Sequence, residues 1–295
     1  MSTKTNELPV SKTKDEPRNP RLRMVLLVVG VLLLTLNLRA CITGVGPLLG
    51  PIRAEDGLSG TLAGLLTTLP LLAFGVISPL APRLARRWGI ESMLLASMVG
   101  LSAGVLLRSL PALSLLFVGT ALLGAAIAIS NVLIPSLIKR DFQRHVGLMT
   151  AIYSTLVSAS GAIADGVSIP LAENGGLGWR GSLAFWALPA LLTALLWLPL
   201  LRGRPRQLIA STQISKQITR GVWLSPLAWQ VTLFMGLQSL TFYATIAWFP
   251  TLFESHGLSP ADAGWLLSLL QLSGVVGSFV APQLAGRMRS QRVLV

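Results

Sequence analysis

The sequence is poor in charged residues: Asp, Glu, Lys and Arg make up 12% of its 295 residues, against about 25% in a typical soluble domain. It has a single cysteine, Cys41, inside an apolar run, so an intrachain disulfide is excluded. No cluster of Cys, His and carboxylate residues has the spacing of metal ligands. No Ser, His and Asp set lies at one depth, and no nucleotide-binding motif occurs. We therefore expect neither an enzyme nor a bound cofactor.

Apolar residues are abundant instead, at 52% of the chain, with a mean hydropathy of +0.68. A helix needs about 20 mostly apolar residues to cross a bilayer. Eight runs meet this length or approach it, which predicts an all-α polytopic membrane protein in contact with the lipid bilayer. They lie at residues 24–49, 60–81, 91–107, 112–138, 147–170, 181–201, 226–252 and 261–285.

Positive charge is distributed unevenly along the chain, whose net charge is +13. The tail before the first run and every second loop carry 20 of the 24 Lys and Arg residues, while the other loops hold only Arg53, Arg108 and Arg180. Because cytoplasmic loops retain Lys and Arg, we expect a cytoplasmic amino terminus and a bacterial inner-membrane location. The basic excess thus indicates membrane orientation, and no nucleic-acid partner is expected.

An internal repeat lies at an offset of 200 residues: residues 57–87 and 257–287 share 15 identities in 31 positions. The second span therefore repeats as the eighth, and the two copies run in the same direction through the membrane. Parallel repeats of this kind occur in secondary transporters. We expect a disordered tail at 1–23, a complete six-helix bundle at 24–201, a cytoplasmic linker at 202–224 and a partial second bundle at 225–295. Such a chain would lack about four helices of its second half.

The segment after the second span, SPLAPRLARR at residues 78–87, resembles the signature loop of the major facilitator superfamily. Ser78, Pro82 and Ala85 depart from the usual Gly, acidic residue and Gly. The loop keeps the basic part of the signature, and a gating or loop role is assigned to its arginines, Arg83, Arg86 and Arg87.

Most of the chain resembles, more closely, the cyanate and 2-nitroimidazole transporter family of that superfamily, with the 2-nitroimidazole branch nearest. The stretches that carry this resemblance are residues 37–49, 64–74, 131–142 and 225–234. The resemblance implies the major facilitator fold, with two helices of the second bundle present. It also implies transport of a small-molecule solute, cyanate-like or 2-nitroimidazole-like.

Two charged residues lie inside predicted spans, Arg39 and Asp165. Such charges are costly in a bilayer and usually face a cavity or a partner. Counted along their helices, they lie about 22 and 27 Å from the cytoplasmic ends. Arg39 could attract an anionic or strongly dipolar solute, or it could be a structural counter-ion for Asp165. Asp165 could also take part in coupling to protons.

Further polar and helix-breaking residues occur within the spans. Thr43 follows Arg39 by four residues and shares its helix face. Gly44, Gly46 and Pro47 interrupt the first span, which is typical of a gating helix but also of close packing between helices. Three further residues are candidates for solute binding: Asn131, Gln238 and Tyr243. Two more, Tyr153 and Gln271, are weaker candidates.

Together these features predict a secondary transporter that works by alternating access. Its direction, uptake or efflux, is left open because both would use the same cavity. Two alternatives remain. One is a truncated fragment of such a transporter that does not transport, and the other is a channel or sensor.

Overall fold

The computed structural model describes residues 20–201 and 225–287. In this part of the chain the secondary structure is helical, without a strand, which confirms the all-α class. The predicted linker at 202–224 and most of the predicted tail lie outside the described residues, as do residues 288–295. A 3-10 turn, Gln143–His145, precedes the seventh of the helices. In chain order these are α1 (Pro20–Thr43), α2 (Val45–Asp56), α3 (Gly60–Ile77), α4 (Ala81–Trp88), α5 (Ile90–Arg108), α6 (Leu113–Asp141), α7 (Val146–Glu173), α8 (Gly178–Phe185), α9 (Ala187–Leu201), α10 (Pro226–Ser255) and α11 (Pro260–Arg287).

Seven stretches of the described chain are long and apolar enough to cross a membrane. They correspond to the first seven predicted runs, and the 28-residue α11 corresponds to the eighth. The first stretch continues to Asp56, beyond the predicted end at residue 49, and consists of α1 and α2. Large apolar side chains are exposed around the bundle, such as Leu72, Val76 and Leu188. This is the surface expected where helices meet lipid.

The second span is shorter than predicted, because α3 ends at Ile77 rather than at residue 81. The predicted signature loop contains the short helix α4, which buries Ala81 and Ala85. The arginines of this helix, Arg83, Arg86 and Arg87, are all exposed.

The two repeat copies begin alike and end differently. Ser59 Oγ accepts a hydrogen bond from the Leu62 amide, and Ser259 Oγ accepts one from the Asp262 amide. Both copies therefore start their helix with a serine N-cap. The first copy then turns after Ile77, whereas α11 runs on to Arg287. Pro79 accounts for the difference, since it lacks the N–H that would continue the helix, and Phe279 stands at the matching position.

The larger core lies between α1, α5, α6 and α9, around Leu34, Leu101 and Trp197. Trp197 is fully buried and donates its indole N–H to the Glu91 carbonyl oxygen at 3.0 Å. A β-carbon at Gly30 would lie 2.6 Å from the Trp197 ring, so glycine there lets α1 approach α9. A second core joins α2, α3 and α8 at the other end of the bundle. These two cores hold α1 and α2 in the interior of the first six spans.

The last two helices, α10 and α11, reach the first six spans through small residues. Gly46 faces the carbonyl oxygen of Ile246 in α10, and a β-carbon at Gly46 would lie 2.6 Å from that oxygen. Gly264 of α11 likewise faces the Asp165 carbonyl oxygen, at 2.9 Å from the position of a β-carbon. The first part of α10, residues 226–241, is exposed almost throughout. Close contact of α10 with the bundle is therefore concentrated toward its carboxyl-terminal end.

Candidate functional site

Arg39 projects from α1 toward two adjacent aromatic residues of α10. Its Cζ lies 4.0 Å from the centroid of the Phe242 ring and 5.8 Å from that of Tyr243. The two rings meet edge to face, with centroids 5.4 Å apart and an interplanar angle of 86°. A guanidinium held over an aromatic face is attracted by the ring, and its N–H groups can still donate hydrogen bonds to other groups. Phe242 was not anticipated, because a phenylalanine in an apolar run carries no signal of its own.

The Arg39 guanidinium retains donor capacity toward the site. Its buried Nε has no hydrogen-bond partner, and no salt bridge within the described residues includes Arg39. The structure thus does not form the ion pair with Asp165 that one interpretation of the sequence had expected. A partly buried arginine with a free donor can recognise an oxygen-rich or nitrogen-rich anion.

Asp165 is fully buried in α7 and links this helix to α11. The Gln271 side-chain amide donates a hydrogen bond to Asp165 Oδ2, while Oδ1 has no partner. Gln271 was only a weak candidate from the sequence, and its contact with the carboxylate is what makes it part of the site. One helix of the first six spans and one of the last two therefore share a buried polar pair.

Gly161 creates the space in which these groups meet. A β-carbon there would lie 2.7 Å from Gln271 Oε1 and 3.1 Å from Cγ of Arg39. Any larger residue would displace one of the two side chains, since a β-carbon contact below 3.0 Å is sterically excluded. Gly161 thus contacts both Arg39 of α1 and Gln271 of α11, and Gln271 in turn binds Asp165.

The predicted polar neighbour of Arg39, Thr43, lies at the contact between α1 and α7. Its hydroxyl lies 3.3 Å from the Arg39 carbonyl oxygen and 3.3 Å from that of Gly161. The helix is interrupted at the next residue, Gly44, where α1 ends and α2 begins. A β-carbon at Gly44 would lie 2.8 Å from Ser168 Oγ. Pro47, the other predicted gating residue, lies in α2 and faces Gly264.

Asn131 and Tyr153 form a separate polar contact between α6 and α7. The Tyr153 hydroxyl donates to Asn131 Oδ1 at 3.4 Å. Gln238 lies exposed on α10, four residues before Phe242 and so on the same face of the helix. The structure thus places Arg39, Thr43 and Tyr243 near one another and Asp165 on α7 beside them, whereas Asn131 contacts Tyr153 and Gln238 is exposed.

Arg108 departs most from its predicted position. The sequence placed it in the loop after the third apolar run, but it is the last residue of α5 and its side chain is only 1% exposed. Its Nη1 donates to the Cys41 carbonyl oxygen of α1 at 2.7 Å. The assignment of Arg108 to a loop is therefore wrong. The reason is the reach of the side chain, which turns from the end of α5 back into the bundle.

The described ion pairs lie at the ends of the bundle. Arg180 contacts Glu55 at 2.8 Å and Asp56 at 2.6 Å, which ties α8 to α2. Arg140 bridges Glu91 at 2.5 Å and Asp141 at 2.8 Å, which ties α6 to α5. The interior charges, Arg39, Arg108 and Asp165, are absent from the ion pairs of the described residues. No group of His, Cys, Asp and Glu within the described ranges could hold a metal ion.

Several known proteins are similar to this chain over most of its length. The sequence profile of the Major Facilitator Superfamily matches residues 27–295. The chain is 45% identical to the uncharacterized transporter YycB of Bacillus subtilis over 279 residues, which are 95% of this chain and 68% of that protein. It is 44% identical to the 2-nitroimidazole transporter of Escherichia coli over 268 residues, 91% of this chain and 67% of the relative.

A more distant relative is the cyanate transport protein CynX of Escherichia coli. It is 29% identical over 273 residues, 92% of this chain and 68% of that protein. Among solved structures, the crystal structure of a D-xylose-proton symporter superposes with a TM-score of 0.66 at 16% identity. That match covers 92% of this chain and 70% of the symporter chain, and it supports the fold alone.

Proposed function

Since this chain belongs to the Major Facilitator Superfamily, a family of multi-pass membrane transporters rather than enzymes, we propose that it carries a small anionic or strongly dipolar solute. The solute binds at Arg39. The observation that carries this proposal is the Arg39 guanidinium, which lies 4.0 Å from the Phe242 ring while its Nε keeps no partner. A charge inside a span that no ion pair neutralises is expected to serve a ligand.

The solute class follows from the groups around Arg39. The guanidinium offers several fixed donors to a compact anion, and the adjoining Phe242 and Tyr243 rings offer faces and edges to a flat molecule. Two relatives bear names that fit these chemistries, a cyanate transport protein and a 2-nitroimidazole transporter. Thr43, Asn131 and Gln238 are proposed as further polar contacts for the solute.

The transport cycle is proposed to be alternating access between residues 24–201 and residues 225–295, joined by the linker 202–224. The contacts that would open and close involve Gly46 against Ile246 and Gly264 against Asp165. Both are glycine contacts on backbone oxygens, which lets helices separate without breaking ion pairs. The helix interruption at Gly44 and Pro47, and the basic α4, are the proposed gating elements.

Orientation and coupling complete the proposal. The amino terminus faces the cytoplasm of a bacterial inner membrane, because the basic loops lie on that side. Asp165 couples transport to protons: its buried carboxylate bridges α7 and α11 through Gln271, so its charge would affect the contact between the two parts. Uptake and efflux are both compatible with this arrangement.

The test is transport of labelled cyanate and labelled 2-nitroimidazole by the protein in proteoliposomes. Arg39→Gln is expected to lower the rate by at least about tenfold, because a hydrogen bond to a charged group contributes about 1.5–3 kcal/mol. Arg39→Lys should retain part of the activity, since it keeps the charge without the planar donor set. Arg144→Gln, an exposed loop arginine, is the matched control and should transport normally.

Insertion of each variant is verified by its yield in membranes and its melting temperature. Unchanged transport by a well-folded Arg39→Gln protein would refute the assignment of Arg39. Failure of the unaltered protein to move either solute would refute the proposal that this chain transports a cyanate-like or 2-nitroimidazole-like solute.

A further inference from the structure

The fully buried Arg108 has no role in the site described above, although it lies next to it. It is the last residue of α5, and its side chain reaches α1, where Nη1 donates to the Cys41 carbonyl oxygen at 2.7 Å. The other two donor atoms, Nε and Nη2, are buried without any hydrogen-bond partner. No described salt bridge includes Arg108. A charge buried in this way is costly unless an anion or polar group satisfies it.

A small cavity adjoins the Arg108 side chain, with a volume of about 30 Å³. This is room for about two water molecules or one small ion. Its wall includes residues from α1, α3, α5, α6 and α10, among them Cys41, Thr67, Arg108, Thr120 and Tyr243. Apart from Arg108, none of the lining residues carries a charge. The cavity therefore combines one cation with otherwise neutral walls.

The cavity lies between the first six spans and α10, as the solute site does. Tyr243 belongs to both places: its ring centroid is 5.8 Å from Arg39 Cζ, and it also lines the cavity of Arg108. Cys41 follows Arg39 by two residues, so their side chains point to different sides of α1. Both arginines are therefore close to Tyr243, and they contact different residues of α1 and α10.

We infer that Arg108 forms a second binding position for a small monovalent anion, separate from Arg39 and adjacent to it across Tyr243. The anion accepts hydrogen bonds from Nε and Nη2, while Nη1 remains on the Cys41 carbonyl oxygen. Either the transported solute or chloride could supply this chemistry. The inference rests on the proposed function only for the role of Arg39 as the first site.

The experiment measures anion binding to the purified full chain in detergent, through the rise in melting temperature as bromide replaces gluconate at constant ionic strength. Bromide fits a cavity of this size and gluconate does not. We expect bromide to stabilise the unaltered protein and the exposed control Arg144→Gln equally, and to keep stabilising Arg39→Gln, which retains Arg108. In Arg108→Gln the apparent affinity for bromide should fall by at least about tenfold.

Arg108→Lys serves as the second variant, in case loss of the buried charge prevents folding. It keeps the cation but not the paired donors, so a weakened bromide response is expected. A second measurement adds cyanate, to tell whether the anion at Arg108 is the transported solute or chloride. If cyanate competes with bromide at Arg108, the anion is the solute. If cyanate does not compete, the anion is chloride.

Two results would overturn the inference. One is an unaltered protein that bromide does not stabilise. The other is a bromide response that survives in the Arg108 variants and disappears in Arg39→Gln, which would leave Arg39 as the anion site and uphold the proposed function without a second position.

Discussion

Two arginines lie inside this bundle in different surroundings. Arg39 is half-buried, stacks on Phe242 and lies near a buried carboxylate that Gln271 holds. Arg108 is 1% exposed and is held by one backbone carbonyl, beside a cavity of about 30 Å³. The first belongs to a cluster that joins α1, α7, α10 and α11, whereas the second links the end of α5 to α1 within the first six spans.

The comparison shows that burial of a charge and involvement in a polar network are separate properties. The neighbours of Arg39 are the Phe242 and Tyr243 rings of α10 and the Gln271 amide of α11. These two helices would move relative to α1 in the proposed transport cycle. At Arg108 the supporting helices, α5 and α6, both belong to the first six spans. Changes around Arg39 should therefore affect transport first, and changes around Arg108 should affect stability first.

The largest effect is expected from Asp165→Asn, which removes the carboxylate on the Arg39 side. If Asp165 couples transport to protons, this variant should lose solute accumulation driven by a pH gradient while keeping exchange of solute at equilibrium. The measurement compares both modes in proteoliposomes.

Glu173→Gln is the control for this change, since Glu173 is exposed on the same helix. It should accumulate solute like the unaltered protein. Normal gradient-driven accumulation by Asp165→Asn would exclude Asp165 as the coupling residue.

A smaller but still large effect is expected from Gly161→Ala. The added methyl group would lie 2.7 Å from Gln271 Oε1 and 3.1 Å from Arg39 Cγ, so it must displace one of them. We expect transport to fall by about tenfold or more, since displacement of a binding group by about 1 Å can have effects of this size.

Gly147→Ala provides the matched control on the same helix, because nothing lies within 4 Å of a β-carbon there. The bromide response assigned to Arg108 should remain intact in both variants. If Gly161→Ala transports as fast as Gly147→Ala, the packing of Arg39 and Gln271 around this glycine does not position the solute.

The smallest effect on transport, and a clear one on stability, is expected from Gly104→Ala on the Arg108 side. Its β-carbon would lie 2.7 Å from the Leu123 amide nitrogen and 2.8 Å from the Gly119 carbonyl oxygen, which are rigid backbone atoms of α6. Overpacking of this kind costs about 1–3 kcal/mol. The melting temperature should fall, with only a modest change in transport.

One turn earlier on α5, Gly100→Ala meets only Ala126 Cβ, at 3.6 Å. This ordinary contact makes it the control, and its melting temperature should change little. Equal melting temperatures for the two variants would show that α5 and α6 can separate without cost, contrary to the expected overpacking at Gly104.

The sequence predicted the helical class and the spans well, because long apolar runs leave few alternatives to membrane helices. The repeat is consistent with the matching helix starts at Ser59 and Ser259, since an N-cap serine acts locally. The end of the second span was less predictable. Pro79 follows the end of α3 in the first copy, and Phe279 stands in its place in the second copy. The identities between the copies did not reveal that this difference changes where the helix ends.

Site residues were predictable where a charge interrupts an apolar run, as Arg39 and Asp165 do. Phe242 and Gln271 could not be ranked in this way. An apolar ring among apolar residues has no distinguishing signal, and a single amide in a span is as often a packing contact. Arg108 was misplaced because it stands at the end of a run, where the sequence cannot show whether a long side chain turns outward or inward.

By itself the sequence determined which segments enter the membrane, which loops are basic and that residues 257–287 repeat residues 57–87, because hydropathy, charge and identity are properties of neighbouring residues. Only the tertiary structure decided that Arg39 stacks on Phe242, that Gln271 binds Asp165 and that Arg108 turns inward. Those outcomes depend on which helix faces meet, and contacts between residues distant in the chain are set by packing rather than by local pattern.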